Sequence, residues 1–138
     1  MKISITKNIS NKDQNELLSG LKRYNFNFVN PDVWHDIGVL AHNDSGELGG
    51  GLIGKRKGDW FCIDFLWVAE GMRGKKLGSE IMIAAEVRMR NEGCSYLQVD
   101  TFSFQALPFY EKLEFKLNHT IDNFPHEGMK RYYLIKKL

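Results

Sequence analysis

The chain has 138 residues, of which 43% are hydrophobic and 26% are charged, and its formal net charge is +2. This length and composition predict one soluble globular domain that is large enough to bury a hydrophobic core. The small net charge argues against a nucleic-acid-binding protein, and no apolar run reaches the length of a membrane span.

The two cysteines, Cys62 and Cys94, lack the spacing of a metal site and suit a reducing compartment. The first 14 residues contain no apolar core of a secretion signal. We therefore expect a cytoplasmic protein without a metal centre.

The N-terminal segment predicts a short strand followed by a helix. Residues 2–6 alternate around two isoleucines, as a strand does. Ser10, Asn11 or Asp13 is then positioned to cap a helix that continues to about Tyr24. The residues expected to face inward from this helix are Leu17, Leu18 and Leu21.

A β-hairpin is predicted next, after an irregular stretch over residues 25–36. Its strands are Ile37–His42 and Glu47–Lys55, and the turn cluster at residues 43–46 joins them. Gly49–Gly51 lies within the second strand, where glycines indicate a bulge or a close backbone approach.

The central stretch reads as a buried strand, a cationic loop and a helix. Apart from Asp64, the run Phe61–Val68 is apolar, β-branched or aromatic, which favours a strand that is buried on both faces. The loop Arg73–Gly78 contains two glycines and three basic residues, and the helix after it ends before Gly93. The predicted apolar face of this helix consists of Ile81, Met82, Ala84, Ala85, Val87 and Met89.

A strand that turns tightly into a helix leaves the first helical N–H groups without partners. These groups and the positive end of the helix dipole attract anions. Glycines let the backbone approach a phosphate closely, and Arg73, Lys75 and Lys76 add positive charge. The loop is therefore interpreted as a phosphate site; the alternative is a basic surface turn that merely begins an ordinary helix.

The remaining residues predict a strand, a short helix and two further strands. Ser95–Thr101 should lie parallel to the central strand, because a helix joins the two. Pro108 suits the first turn of a helix over about Gln105–Leu113. The last strands are Phe115–Ile121 and Arg131–Lys137. We expect a mixed α/β sheet in the order β-α-β-β-β-α-β-α-β-β, forming one domain over residues 1–138.

This order and two motifs resemble the GNAT superfamily of acyl-CoA-dependent N-acyltransferases. Val68-x4-Arg73-Gly-Lys-Lys-Leu-Gly-Ser79 is similar to the family's Arg/Gln-x-x-Gly-x-Gly/Ala pyrophosphate loop. Ser103–Phe115 looks like the family's Asn-x-x-Ala-x-x-x-Tyr segment, which Glu-Lys-Leu-Gly-Phe follows. The resemblance covers the chain from about Gly49 onward, and the first third only by element order.

Three residues depart from the family pattern. Lys76 stands at the first motif glycine, where it is strained if the backbone has a positive φ and harmless if the backbone is already helical. Ser103 replaces an asparagine that orients the cofactor or its own segment. Glu114 replaces the glycine that commonly ends the tyrosine-bearing helix, which affects local turn geometry.

The resemblance implies acetyl-CoA as the acyl donor. Its pyrophosphate would contact the backbone of Arg73–Ser79, and its pantetheine arm would pair with strand edges near Leu66, Trp67 and Val68. The side chains of Trp67 and Val68 would then lie mostly in the core. The implied cofactor-binding residues are Leu66, Trp67, Val68, Arg73, Gly74, Lys75, Lys76, Leu77, Gly78, Ser79, Ser103, Ala106 and Tyr110.

Tyr110 is the implied general acid, because the thiolate that leaves acetyl-CoA benefits from a proton donor. The alternative is an ordinary core tyrosine. Asp64, Glu70 and Asp100 are candidates for the base that deprotonates the amine. Asp64 is favoured, because alternation places it on the face of Cys62 and Leu66, where a carboxylate needs a cleft or a partner. The alternative for Asp64 is a solvated or hydrogen-bonded strand residue.

Acceptor recognition is expected from the least family-like segments, which are rich in aromatic residues. These residues would form an apolar or cation-binding pocket, or else core contacts or a dimer interface. They are Phe26, Phe28, Trp34, Phe102, Phe104 and Phe124.

Together these features predict an N-acetyltransferase that moves acetyl from acetyl-CoA to a primary amine by direct attack in a ternary complex. The amine is a small molecule or a peptide, and the resemblance is compatible with a homodimer. One alternative is a non-catalytic acyl-CoA-binding sensor or interaction module. Another is a nucleic-acid-associated domain, against which the near-neutral charge argues.

Overall fold

The computed structural model describes residues 1–138, which divide into two compact units, residues 1–31 and residues 32–138. The first unit contains one helix, α1 (Asn11–Asn25). Ser10 caps it, since its hydroxyl oxygen accepts a hydrogen bond from the Asp13 amide at 3.1 Å. The predicted helix is therefore confirmed, whereas the single domain over the whole chain stays a prediction.

Two expectations for the first unit are wrong. Residues 2–6 form no strand: the sheet does not include them, and Ile3 and Ile5 are 91% and 99% exposed. Leu17, Leu18 and Leu21 do not face inward but are exposed on a helix that buries none of its residues. Within this unit the helix has no second element against which an apolar stripe can pack.

The second unit is a mixed sheet with two helices and two short 3-10 turns at Pro31–Val33 and Glu70–Met72. Its six strands have the spatial order β1-β2-β3-β4-β6-β5. Every neighbouring pair is antiparallel except β3 and β4, which are parallel as predicted. The elements are β1 (Trp34–His42), β2 (Leu48–Lys57), β3 (Trp60–Val68), α2 (Leu77–Asn91), β4 (Tyr96–Phe102), α3 (Leu107–Lys112), β5 (Lys116–Asp122) and β6 (Lys130–Lys137).

The hairpin of β1 and β2 forms as the turn residues predict. The side-chain oxygen of Asn43 accepts the amides of Ser45 and Glu47 at 3.0 and 2.9 Å. The predicted close approach occurs at Gly51, where a Cβ atom would lie 2.8 Å from the Val39 carbonyl oxygen.

The core lies between the sheet and α2 and α3. Its fully buried side chains are Leu52, Phe61, Met89, Leu97 and Leu134. None of the helices is both long enough and apolar enough to cross a bilayer.

The helix α2 buries a narrower face than expected. Ile81, Met82, Ala85 and Met89 are buried, but Ala84 and Val87 are exposed. At about 100° per residue these two positions point away from the buried stripe. The prediction that they face the core is wrong because it rested on their apolar side chains and not on their angular position.

The strand β3 is buried at its start and open at its end. Phe61 and Ile63 are buried, whereas Phe65 and Trp67 are 59% and 48% exposed. The expectations of a strand buried on both faces and of Trp67 in the core are therefore wrong, while Val68 packs partly against the core. The cause is a change of register within β3, described below.

Lys76 and Glu114 both have a left-handed backbone conformation, which favours glycine. Lys76 has φ +67° and Glu114 has φ +69°, at the two places where the resembled family carries glycine. A left-handed backbone costs a non-glycine residue about 1–2 kcal/mol. Of the two alternatives for Lys76, the strained one is therefore correct.

We expect the substitution Glu114→Gly to raise the free energy of unfolding by about 1 kcal/mol, because it removes this strain at a modest entropic cost. The exposed Glu114 carboxylate lies 3.9 Å from Lys136, a surface ion pair of little value. Urea unfolding measures the change. Glu114→Ala is the control, since it removes the same carboxylate but keeps the strain; equal stability of both variants would contradict the prediction.

Candidate functional site

The parallel strands β3 and β4 pair only at their beginnings. Register partners are Trp60 with Tyr96, Phe61 with Leu97 and Cys62 with Gln98, and no pair follows. Beyond these pairs the facing edges of residues 63–68 and 99–102 are unpaired with each other. The two strands therefore leave a gap in the middle of the sheet.

A bulge in β3 lies at the start of this gap. Opposite β2, Ile63 pairs with Gly54 and Phe65 pairs with Ile53, so that Asp64 is an extra residue without a partner. An extra residue bends its strand and increases its twist. The bend accompanies the divergence of β3 from β4.

Gly54 is required at this bulge. A Cβ atom there would lie 2.6 Å from the Cys62 carbonyl oxygen and 2.7 Å from the ring of Phe61, distances that real side chains do not adopt. The close approach of the two strands and the buried position of the Phe61 ring thus depend on a residue without a side chain.

The gap opens into a cleft of about 1180 Å³, bounded by β3, β4, the start of α2 and the helix α3. Clefts of this size accommodate a cofactor-sized ligand. The predicted residues that line it are Asp64, Leu66, Trp67, Val68, Arg73, Gly74, Lys76, Leu77, Gly78, Ser79, Ala106 and Tyr110. Glu70, Lys75 and Ser103 do not line it.

The loop before α2 presents a row of free backbone donors to the cleft. The amides of residues 74–79 donate to no carbonyl of the protein, and Glu80 is the first to do so, to the Lys76 carbonyl oxygen at 3.0 Å. Lys76 begins the helix without a side-chain cap. The Arg73 Nε atom donates to the Val68 carbonyl oxygen at 3.1 Å and holds the loop at the end of β3. This arrangement is an anion site of the predicted kind.

Gly78 brings the start of α2 against α3. A Cβ atom at this position would lie 3.4 Å from the Phe109 ring and 3.6 Å from the Val68 side chain. Phe109 was not among the predicted site residues, although its place before Tyr110 in the second motif offered a signal.

Tyr110 is buried beside the cleft. Its side chain is 6% exposed, and its ring makes edge-on contacts with Phe109 and Phe115 at centroid distances of 5.1 and 5.8 Å. Burial, and secondly the charge of Asp100, raise the pKa of the Tyr110 phenol to about 12. At neutral pH this residue therefore presents a protonated hydroxyl group.

The three candidate bases have different surroundings. Asp64 is exposed at the bulge and lines the cleft, so that it faces solvent rather than a buried strand face. Glu70 is exposed in the 3-10 turn after β3, outside the cleft. Asp100 lines the cleft but pairs with Arg131 at 2.8 Å. The shared face predicted for Asp64 and Leu66 is wrong, because the bulge interrupts the alternation.

Three phenylalanine rings form a stack at one side of the cleft. Phe102 stacks on Phe104 with centroids 5.2 Å apart and planes 7° apart, and on Phe124 at 5.7 Å and 14°. Arg131 lies over this stack, with its guanidinium carbon 4.9 Å from the Phe124 ring centre and 5.6 Å from that of Phe102. Arg131 was missed from the sequence, where it reads as one more surface cation.

Comparisons with known proteins agree with this geometry. A family model described as the GNAT acetyltransferase family matches residues 11–115. Blasticidin-S acetyltransferase of Streptomyces morookaense is 41% identical over 101 residues, which cover 72% of this chain and 74% of that protein.

Solved structures show the same fold. An acetyltransferase of Bacillus cereus superposes with a TM-score of 0.79 at 25% identity and covers 98% of both chains. A Bacillus anthracis protein, assigned as a streptothricin acetyltransferase and solved with acetyl coenzyme A, superposes with a TM-score of 0.66 at 16% identity over 75% of this chain and 63% of that one. The mixed α/β fold is thereby confirmed, and the chain belongs to the GNAT family of acetyltransferases, whose acyl donor is acetyl-CoA.

Proposed function

We propose that this chain transfers the acetyl group of acetyl-CoA to the nitrogen of a primary amine by direct attack in a ternary complex. The observation that carries the proposal is the unpaired gap between β3 and β4, which opens beside a helix N-terminus with free amides and beside the protonated Tyr110.

Acetyl-CoA matches the donors of the cleft. Its pyrophosphate suits the free amides of residues 74–79, with the charges of Arg73 and Lys76 nearby. The amide groups of its pantetheine arm suit the unpaired edge of β3 at residues 64–68, as an added strand would. In this role only the backbone of Trp67 is needed, which agrees with its half-exposed side chain.

The reaction forms a carbon–nitrogen bond as the carbon–sulfur bond of the thioester breaks. The neutral amine attacks the carbonyl carbon, and the excess proton on nitrogen passes to Asp64 directly or through water. The leaving thiolate takes a proton from the Tyr110 hydroxyl, which is reprotonated from solvent through the open cleft. The raised pKa keeps the Tyr110 phenol protonated at neutral pH, so that its proton is in place when the thiolate leaves.

We propose a small-molecule amine as the acceptor, and blasticidin S is the first compound to test. The support is the 41% identical relative with that activity. Because acetyl-CoA is the donor, the proposal places the reaction in the cytoplasm. A homodimer stays a prediction.

A non-catalytic acyl-CoA sensor is the alternative function. A sensor would also require the anion site and the strand gap, but it would not require a buried, protonated tyrosine on the cleft wall. Release of CoA in the presence of a panel of primary amines separates the two functions, because a sensor binds acetyl-CoA without turnover.

Calorimetric titration tests the cofactor site. We expect saturable binding of acetyl-CoA by the wild type and a roughly 100-fold loss in Gly78→Glu, because the new side chain would press on Phe109 and add a negative charge beside the pyrophosphate site. Gly71→Glu is the matched control, since Gly71 has free space around it and lies outside the cleft. Equal affinities of the two variants, or no binding by the wild type, would refute the assigned cofactor site.

Kinetics of Tyr110→Phe test the general acid. We expect kcat to fall by roughly 10²- to 10⁴-fold while the Kd of acetyl-CoA changes less than about twofold. Tyr96→Phe is the control: Tyr96 stacks on Trp60 outside the cleft, so its variant should keep the wild-type kcat. An unchanged kcat in Tyr110→Phe would remove the general-acid role.

Alkaline unfolding tests the buried proton of Tyr110. The pKa of Tyr110 is raised from 10 to about 12 in the folded state. The protonated phenol therefore contributes its full stabilisation of the folded state below pH 10, and this contribution is lost as the pH rises to 12. We expect the wild type to lose about 2–3 kcal/mol more than Tyr110→Phe across this window. Urea unfolding at pH 9.5 and at higher pH measures the difference; parallel losses in both proteins would show that the phenol titrates normally.

A further inference from the structure

We propose that the acceptor amine carries a planar unsaturated ring, which stacks on the free face of Phe104. This inference rests on the proposed function and adds the class of acceptor. Phe104 lines the same cleft as Asp64 and Tyr110, so a ring that rests on it remains part of a molecule whose amine reaches the thioester.

The stack of Phe102, Phe104 and Phe124 ends at Phe104. Phe102 contacts both of the other rings, whereas Phe104 contacts only Phe102. Its side chain is 59% exposed and no second ring stacks on it, so the terminal ring is accessible to a ligand. A fourth flat ring at the same spacing would continue an offset-parallel stack, the arrangement that aromatic quadrupoles favour.

Hydrogen bonds hold the turn that presents Phe104. Gln105 Oε1 accepts the amide of Phe102 at 2.9 Å and the hydroxyl of Thr101 at 3.3 Å. The hydroxyl oxygen of the buried Thr101 in turn accepts a hydrogen bond from the Ala106 amide at 3.2 Å. Both ends of the turn are thereby fixed to α3 and β4.

The middle of the turn is tied to β6. Ser103 donates its amide to the Lys130 carbonyl oxygen at 2.8 Å, and its hydroxyl oxygen accepts the Lys130 amide at 3.0 Å. Ser103 thus orients its own segment rather than lining the cleft. The ring that follows it in sequence is held in place before any ligand arrives, which lowers the entropic cost of binding.

Arg131 fixes the other end of the stack. Its Nε atom donates to the Asp100 carboxylate at 2.8 Å, and its guanidinium carbon lies 4.9 Å from the ring centres of Phe124 and Tyr133. The cation therefore covers Phe124 and Phe102, and Phe104 is the ring of the stack that it leaves uncovered. Phe65 is equally exposed and also lines the cleft, but it has no ring partner.

A matched pair of amines tests the inference. 3-Phenylpropylamine and 3-cyclohexylpropylamine have the same chain and ring size, but only the first ring is planar. Beyond the apolar area that it buries, an aromatic pair changes affinity by roughly 2- to 12-fold. We expect wild-type kcat/KM to favour the planar amine within this range, mainly through KM.

Three variants locate the effect. In Phe104→Leu the preference should fall towards unity, and in Phe104→Trp it should persist because a flat face remains. Phe65→Leu is the matched control and should keep the preference. A wild type that acetylates both amines equally, or a preference that survives in Phe104→Leu, would overturn the inference while the proposed function stands.

The adenine of CoA is the other planar ring that might occupy this face, and acetyl-pantetheine distinguishes it because it lacks adenine. A KM of acetyl-CoA that rises in Phe104→Leu, with no rise for acetyl-pantetheine, would assign the face to the cofactor and overturn the inference.

If no amine is turned over, the proposed function fails, and calorimetric binding of 3-phenylpropylamine with CoA present decides the inference. Binding that is lost in Phe104→Leu supports the ring site, and no binding overturns it.

Discussion

The early end of the pairing between β3 and β4 is the constraint on which the rest of the site depends. Parallel strands in a sheet interior normally hydrogen-bond along their length, and each lost pair exposes backbone groups that need another partner. Here pairing stops after Cys62 and Gln98, at the bulge of Asp64. The free edges, the cleft and the access to Tyr110 all follow from that interruption.

The two sides of the cleft are built by different means. On the cofactor side the donors are backbone amides at the start of α2, whose direction the helix itself sets. On the other side the ordered groups are side chains, in which Arg131 and Asp100 hold the stack of Phe102, Phe104 and Phe124. A backbone site serves a ligand that is constant, whereas a side-chain site can change with the acceptor while the fold stays the same.

The loop, the tyrosine-bearing segment and the order of the elements after the first predicted strand could be predicted from the sequence, because each is a local pattern joined to a motif. The bulge could not be predicted, since Gly54 and Asp64 belong to different strands and meet only through register. The strand over residues 2–6 was predicted from alternation, which indicates amphipathic character but not whether another strand is available for pairing.

The backbone at Lys76 could be stated only as two alternatives, because φ depends on how the loop closes rather than on the residue.

The contact between Gly78 and Phe109 joins parts of the site that sequence motifs treat as separate. Phe109 touches the position where α2 begins, and its ring makes an edge-on contact with Tyr110. A single side chain therefore forms the wall shared by the phosphate loop and the proton donor. A substitution of Phe109 itself would therefore reach both sides of that wall, so that cofactor affinity and turnover would change together.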